Sequence, residues 1–141
     1  MAKAIKQKSN VVLTSGKRKT AVARAFAKPG KGIITINKKS IAIYTPELAR
    51  LRLEEPVLLA GDLAKGLDIH VNVRGGGWSA QTEAARLAIA KAILESSKSR
   101  DLKKIYLDYD RHLLVADTRY KEPRKFGTHS RARAKRQKSY R

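Results

Sequence analysis

The most regular stretch of the chain is Leu67-Asp68-Ile69-His70-Val71-Asn72-Val73-Arg74, where apolar and polar residues alternate without interruption. A period of two predicts a strand, with Leu67, Ile69, Val71 and Val73 toward a core and Asp68, His70, Asn72 and Arg74 away from it. Residues 20–28 alternate as well. Val22 and Phe26 fall on one side and Ala21, Ala23 and Ala25 on the other, which selects strand although alanine favours helix. This segment runs into Pro29-Gly30-Lys31-Gly32 and then Ile33-Ile34-Thr35-Ile36, which reads as a hairpin. Val11-Val12-Leu13-Thr14 is a shorter strand candidate, closed by a Ser15-Gly16 turn signal.

The pattern then turns helical. Thr45-Pro46-Glu47 sets a capping residue, a first-position proline and a first-turn carboxylate in succession, so a short helix should follow. Pro56 is expected to interrupt it and open a second short helix ending near Gly61. Gly75-Gly76-Gly77 ends the alternating strand, and residues 79–97 form the main helix. Its Leu87, Ile89, Ile93 and Leu94 do not share one narrow stripe, and Ala84, Ala85, Ala88, Ala90 and Ala92 fill much of the remainder. Such a helix is buried over a wide arc and packs closely on a sheet. Residues 96–99 read as a loop, Asp101 caps another short helix, and Leu113-Leu114-Val115-Ala116 is the last core segment.

Charge changes the picture from a plain α+β domain. The 141 residues hold 32 Lys+Arg against 12 Asp+Glu, a formal net charge of +20. Residues 1–46 carry eleven cations and no acid, residues 47–118 eleven of each sign, and residues 119–141 ten cations against Glu122 alone. A neutral centre with two cationic ends exceeds what solubility requires and repels itself unless a polyanion neutralises it. Nucleic acid is the natural polyanion. These limits suggest a loose basic arm over 1–10, a globular domain over 11–118 and an extended basic tail over 119–141. The absence of cysteine removes disulfides, thiolate metal sites and cysteine nucleophiles. The start MAKAIKQKSN has no apolar signal-like region and no run approaches 18 apolar residues, so a soluble, intracellular protein without a membrane partner is expected.

Catalytic chemistry finds no foothold. Gly75-Gly76-Gly77-Trp78-Ser79-Ala80 formally satisfies a dinucleotide fingerprint. That reading needs an acid at the tip of a second strand, whereas Glu95 lies inside the helical pattern. The alternatives are a glycine turn that lets strand and helix meet closely, or helix-start amides that receive a backbone phosphate. Gly16-Lys17-Arg18-Lys19-Thr20 lacks the first glycine of a P-loop, because position 11 is Val, and reads as a phosphate-contacting loop. His70, His112 and His129 have no ligand spacing, so no metal or cofactor is expected. Asp108 and Asp110 are read as capping or ion-pairing groups.

The tail carries the strongest signal. From Arg119 onward there is no Val, Ile, Leu or Met, so the segment cannot offset its ordering entropy alone and should order on a partner. Extended, it reaches at most about 75–80 Å. Arg131-Ala132-Arg133-Ala134-Lys135-Arg136 alternates cations with alanine. Arginine grips phosphate with paired hydrogen bonds, and Tyr140 and Phe126 can stack on unpaired bases. If about half the tail's net charge meets phosphates, the salt slope from this segment alone is roughly −4.

Four blocks resemble the ninth small-ribosomal-subunit protein family in its archaeal and eukaryotic-type form. They are Gly16-Lys17-Arg18-Lys19-Thr20-Ala21-Val22-Ala23-Arg24; Val73-Arg74-Gly75-Gly76-Gly77 with Gln81; Tyr109-Asp110-Arg111-His112-Leu113-Leu114-Val115-Ala116-Asp117; and Lys125-Phe126-Gly127 with Arg131-Ala132-Arg133 and Gln137-Lys138-Ser139-Tyr140-Arg141. Ala80 stands where many bacterial relatives carry glycine, and the ending differs from the bacterial Ser-Lys-Arg. The resemblance implies a two-layer α+β sandwich, an antiparallel-rich mixed sheet with a left-handed β-α-β crossover, and a long basic C-terminal tail. It further implies a structural constituent of the cytoplasmic small ribosomal subunit, set in the head beside neighbouring head proteins, without homo-oligomers. Lys17, Arg18, Lys19, Arg24 and Arg74 would contact rRNA around the globular part, and Arg119, Lys121, Arg124, Lys125, Arg131, Arg133, Lys135 and Arg136 along the tail. Lys138, Ser139, Tyr140 and Arg141 would reach peptidyl-site tRNA near its anticodon stem-loop. The competing reading of the residues is a free-standing DNA- or RNA-binding protein of regulatory or chromatin type.

Overall fold

The computed structural model describes residues 11–128 and 131–133. The arm expected over 1–10 and the tail positions Lys135, Arg136, Lys138, Ser139, Tyr140 and Arg141 lie outside the described residues, as does His129. The strands are β1 (Val12–Arg18), β2 (Ala21–Pro29), β3 (Ile34–Ile36), β4 (Lys39–Ser40) and β5 (Leu67–Arg74). The helices are α1 (Glu47–Ala60), α2 (Asp62–Lys65), α3 (Trp78–Ser97) and α4 (Arg100–Tyr109), with 3-10 turns at Ile41–Ile43 and Arg111–Leu113.

The five strands form one mixed sheet in the order β1-β2-β5-β3-β4. All neighbouring pairs are antiparallel except β3 and β5, which run parallel. Parallel neighbours need a crossover, and α1 with α2 supplies it, giving a β-α-β unit. Helix α3 packs on β1, β2 and β5, and α1 packs on α3, so the helices lie on one side of the sheet. This is the expected two-layer α+β arrangement.

The alternation in β5 sorts its residues as predicted, and in β2 it is the alanine side that turns inward. Ala21, Ala23, Ala25 and Ala27 are buried under α3 together with Ile69, Val71 and Val73. On α3 the buried set includes Ala84, Ala85, Leu87, Ala88, Ile89, Ala92 and Ile93, a wide arc made largely of small side chains. Small residues on both surfaces let helix and sheet approach closely.

Three expectations are corrected by this closeness and by tertiary packing. Ser15-Gly16 is no turn: β1 runs through it to Arg18. Gly16 is there because a Cβ would stand 2.1 Å from the carbonyl oxygen of Ala84 on α3. The Ile33-Ile34-Thr35-Ile36 run does not hairpin with β2, because β5 lies between β2 and β3; β2 forms its hairpin with β1, and β3 with β4. Pro56 does not interrupt α1, which is continuous to Ala60 and ends at Gly61, with φ +54°. Pro56 is buried there, and its carbonyl accepts the Tyr106 hydroxyl at 2.7 Å, so packing of α4 on α1 carries the helix past a residue that would break it alone. Smaller differences concern the caps. Helix α1 begins after Pro46 rather than at it, and Ser99, accepting from the Leu102 N–H, caps α4 with Asp101 in its first turn.

Candidate nucleic-acid interface

A sheet with helices on one side leaves its other side open, and no described element covers that face. The register assembles it in cross-strand rows. Leu13, Phe26, His70 and Thr35 align across β1, β2, β5 and β3; Ser15, Arg24 and Asn72 form the next row; Lys17, Val22 and Arg74 form the third. Directly opposed residues on antiparallel strands have Cβ atoms about 4.5–5.5 Å apart, so each row is a contiguous surface. Lys28 and Asp68 are opposed at the far end. Asp68 is the one acid among these strand positions, and its carboxylate is spent on the chain: it accepts the N–H of Lys31 at 2.8 Å and of Ile33 at 3.1 Å. The Ile33 and Lys31 amides hold it below the ordinary carboxylate range. Four cations therefore face outward with no free anion beside them.

The second feature is the point where the C-terminal segment leaves the domain. Arg18, at the end of β1, donates from Nε to Glu83 of α3 at 2.5 Å and pairs through Nη1 with Asp117 at 2.7 Å. Asp117 also receives Arg119, by its backbone N–H at 2.9 Å and its guanidinium at 2.6 Å. Arg119's side chain and amide drive the Asp117 carboxyl well below its usual range, outweighing the opposing effect of burial. Lys17 lies over the Tyr120 ring, 5.1 Å from its centroid. Close by, Arg86 joins Glu55 of α1 to Asp110, the latter at 2.7 Å. Asp110 also accepts the His112 N–H, which makes it both the capping and the ion-pairing group expected.

The structure thus brings Lys17, Arg18 and Arg119 together at the root of the tail, and sets Arg24 and Arg74 on the open face. Lys19 is exposed in the β1-β2 turn with φ +51°. Arg18 differs from the rest of its group: its side chain is only 16% exposed and ion-paired with two carboxylates, so it anchors the chain rather than presenting a free cation. Beyond the root, Lys121, Arg124 and Lys125 are exposed on a segment without regular structure. Thr128 ties Lys125 and Arg131 into a turn around Gly127, leaving Phe126 fully exposed. Arg133 is paired with Glu122.

The glycine turn does not hold a dinucleotide site. Helix α3 is followed by α4 and not by a second strand, so Glu95 has no ribose-binding position. Gly75 has φ +77°, and a Cβ there would meet the Thr20 carbonyl oxygen at 2.5 Å, which makes it a point of close approach between β5 and the β1-β2 turn. Among the described residues no three His, Cys, Asp or Glu side chains gather as metal ligands, and no helix is long and apolar enough to cross a membrane. The sequence reading missed the Phe26–His70 pairing and Lys28. Alternation had turned His70 away from the core and put Phe26 opposite the alanines of its strand; which side of β2 faces out, and the register that sets the two side by side, it did not give.

A one-sided α+β layer with a cationic open face and a basic extension has the features of a class, the nucleic-acid-binding domains that act through an exposed surface. Comparison narrows it. Residues 16–141 match the family described as ribosomal protein S9/S16. The chain is 48% identical, over the full length of both sequences, to the small ribosomal subunit protein uS9 of Desulfurococcus amylolyticus. It is 52% identical over 130 residues to the uS9 of Thermoplasma acidophilum, covering 92% of this chain and all of that one. It is 50% identical over 132 residues to the uS9 of Methanococcus maripaludis, covering 93% and 98%. The chain belongs to the ribosomal protein S9/S16 family. It is a structural ribosomal protein, not an enzyme.

Proposed function

We propose that the chain secures folded rRNA in the cytoplasmic small ribosomal subunit, beside other proteins of the head. Its globular part, residues 11–118, receives phosphates on Lys17, Lys19, Arg24 and Arg74, while Arg18 fixes the root from which the tail departs. Arg119, Lys121, Arg124, Lys125, Arg131, Arg133, Lys135 and Arg136 then follow the RNA backbone outward. The carrying observation is the open sheet face, where Lys17, Arg24, Lys28 and Arg74 stand and the single carboxylate, Asp68, is already bonded to two amides. The names of the relatives support the subunit. Cations of this kind position a protein on RNA through phosphate contacts and make binding salt-dependent.

The last four residues, Lys138, Ser139, Tyr140 and Arg141, extend this reading to peptidyl-site tRNA. Two cations flanking a hydroxyl and a ring suit a phosphate-and-base contact on an anticodon stem-loop. Sedimentation through a high-salt wash tests the first part: the chain stays with small subunits, and quantitative release at modest salt would overturn it. Removing residues 138–141 tests the second: subunits assemble normally and bind tRNA more weakly in the peptidyl site, whereas unchanged tRNA affinity rejects that contact.

A further inference from the structure

The cations of the open face account for phosphate binding, but not for the rings and apolar groups among them. Phe26 sits mid-strand on β2 and is 43% exposed, directly opposite His70 on β5, with Leu13, 64% exposed, on its other side. His70 is fixed by Thr35, whose hydroxyl lies 2.8 Å from its Nδ1. Beside this row Phe26, His70, Asn72, Arg74 and Thr35 line a groove of about 770 Å³, ample for a nucleobase. Its rim is rigid: Asn37 pairs its side-chain amide with both the N–H and the carbonyl of Val73.

An exposed phenylalanine between a leucine and a histidine is unfavourable in water and purposeless if only duplex phosphates approach. We propose that the open face is a platform for unpaired nucleotides: one base stacks on Phe26 beside His70, Asn72 offers its amide to the base edge, and Arg24 and Arg74 take the flanking phosphates. This rests on the rRNA reading and adds to it the strand state of the RNA. Aromatic side chains on a sheet, flanked by cations, are a general solution for holding unpaired bases, because every base has a face to stack. Charge selects this occupant over the chain's own ends. The arm carries Lys3, Lys6 and Lys8, and the tail ten cations against Glu122, so both share the sign of Lys17, Arg24, Lys28 and Arg74.

The test uses the full chain with two probes of equal phosphate count, an unstructured oligouridine and a fully paired, blunt-ended RNA duplex, read by fluorescence anisotropy. The tail contributes to both probes. Phe26→Ala weakens oligouridine binding by about five- to a hundred-fold, the range of one lost stack, and changes duplex binding less than about twofold. Phe26→Tyr keeps the ring and restores the affinity. Phe26 faces solvent, and an unchanged circular dichroism spectrum verifies that each variant is folded. Equal affinity of Phe26→Ala and the unsubstituted chain for oligouridine overturns the platform while leaving the rRNA reading intact. If that result comes with loss of the Phe26→Ala chain from small subunits, the face belongs to a protein neighbour, which equally overturns the platform. Failure of the unsubstituted chain to bind either probe would remove the rRNA reading itself.

Discussion

Gly16 of β1 and Ala84 of α3 meet backbone to backbone, so closely that a single added methyl group on Gly16 would stand 2.1 Å from the Ala84 carbonyl oxygen and 2.9 Å from the Ala88 amide nitrogen. Neither neighbour is a flexible side chain that could step aside. Gly16→Ala should therefore lift α3 from the sheet and destabilise the domain by about 1–3 kcal/mol or more. Urea unfolding of the full chain measures this; a change under about 0.5 kcal/mol, as at an ordinary surface site, would show that the approach is not tight.

The Tyr106 hydroxyl is buried and donates to the Pro56 carbonyl, and burial raises its pKa. Tyr106→Phe leaves that carbonyl without its partner, and a loss of about 1–2 kcal/mol is expected from an unsatisfied buried acceptor. Thermal unfolding reads it, and an unaltered Tm would mean that α4 docks on α1 by apolar contact alone.

Asp68, Asp110 and Asp117 are held below the ordinary aspartate value of 3.8 by contacts across the fold, as Asp62 is by its exposed neighbour Lys65. At Asp110 partial burial opposes ionisation but is outweighed by the His112 amide and Arg86. A folded-state pKa lowered in this way gives stability that is complete above the unfolded value and is lost as pH falls through the folded one. Urea midpoints should be level between neutrality and about pH 5 and then decline steadily in acid. Asp117→Asn should make the acid decline shallower and free the root of the tail, seen as faster proteolysis after Arg119 and Lys121. An unchanged cleavage rate would deny Asp117 its anchoring role.

On the open face, Arg24→Ala with Arg74→Ala should lower the slope of log K against log salt for RNA by about two, one for each lost phosphate contact. Anisotropy titrations over a range of salt give the slope directly. Arg18→Gln supplies the contrast: it should hardly change the slope but loosen the fold, because its charge is already matched by Glu83 and Asp117.

What the sequence disclosed and what it withheld follow from the range of the forces involved. Strand β5 was legible to the residue, because alternating burial is written locally in its own eight positions. The Ala-rich β2 was also legible, since its period survived a propensity that pointed to helix. Gly16 and Pro56 misled because each was judged by its backbone preference. Ala84 and Tyr106, 68 and 50 positions further along, decide both outcomes through tertiary contact. The hairpin assigned to β2 and β3 failed for a similar reason: a turn sequence does not reveal that a distant strand will slot between its neighbours. For the site, the cations were countable from sequence, but not that Arg18 turns inward or that Phe26 and His70 stand in one row.

The methyl-sized side chains along β2 and α3 have an effect beyond tight packing. They make a slab with modest greasy bulk for its outline, so much of the cohesion that a thicker domain finds within itself must come from whatever lies against its bare side. Copies made in excess of their RNA would then be the softest and the first to fall to proteolysis. If its open face meets RNA as proposed, that thinness would tie the protein's lifetime to its being installed there.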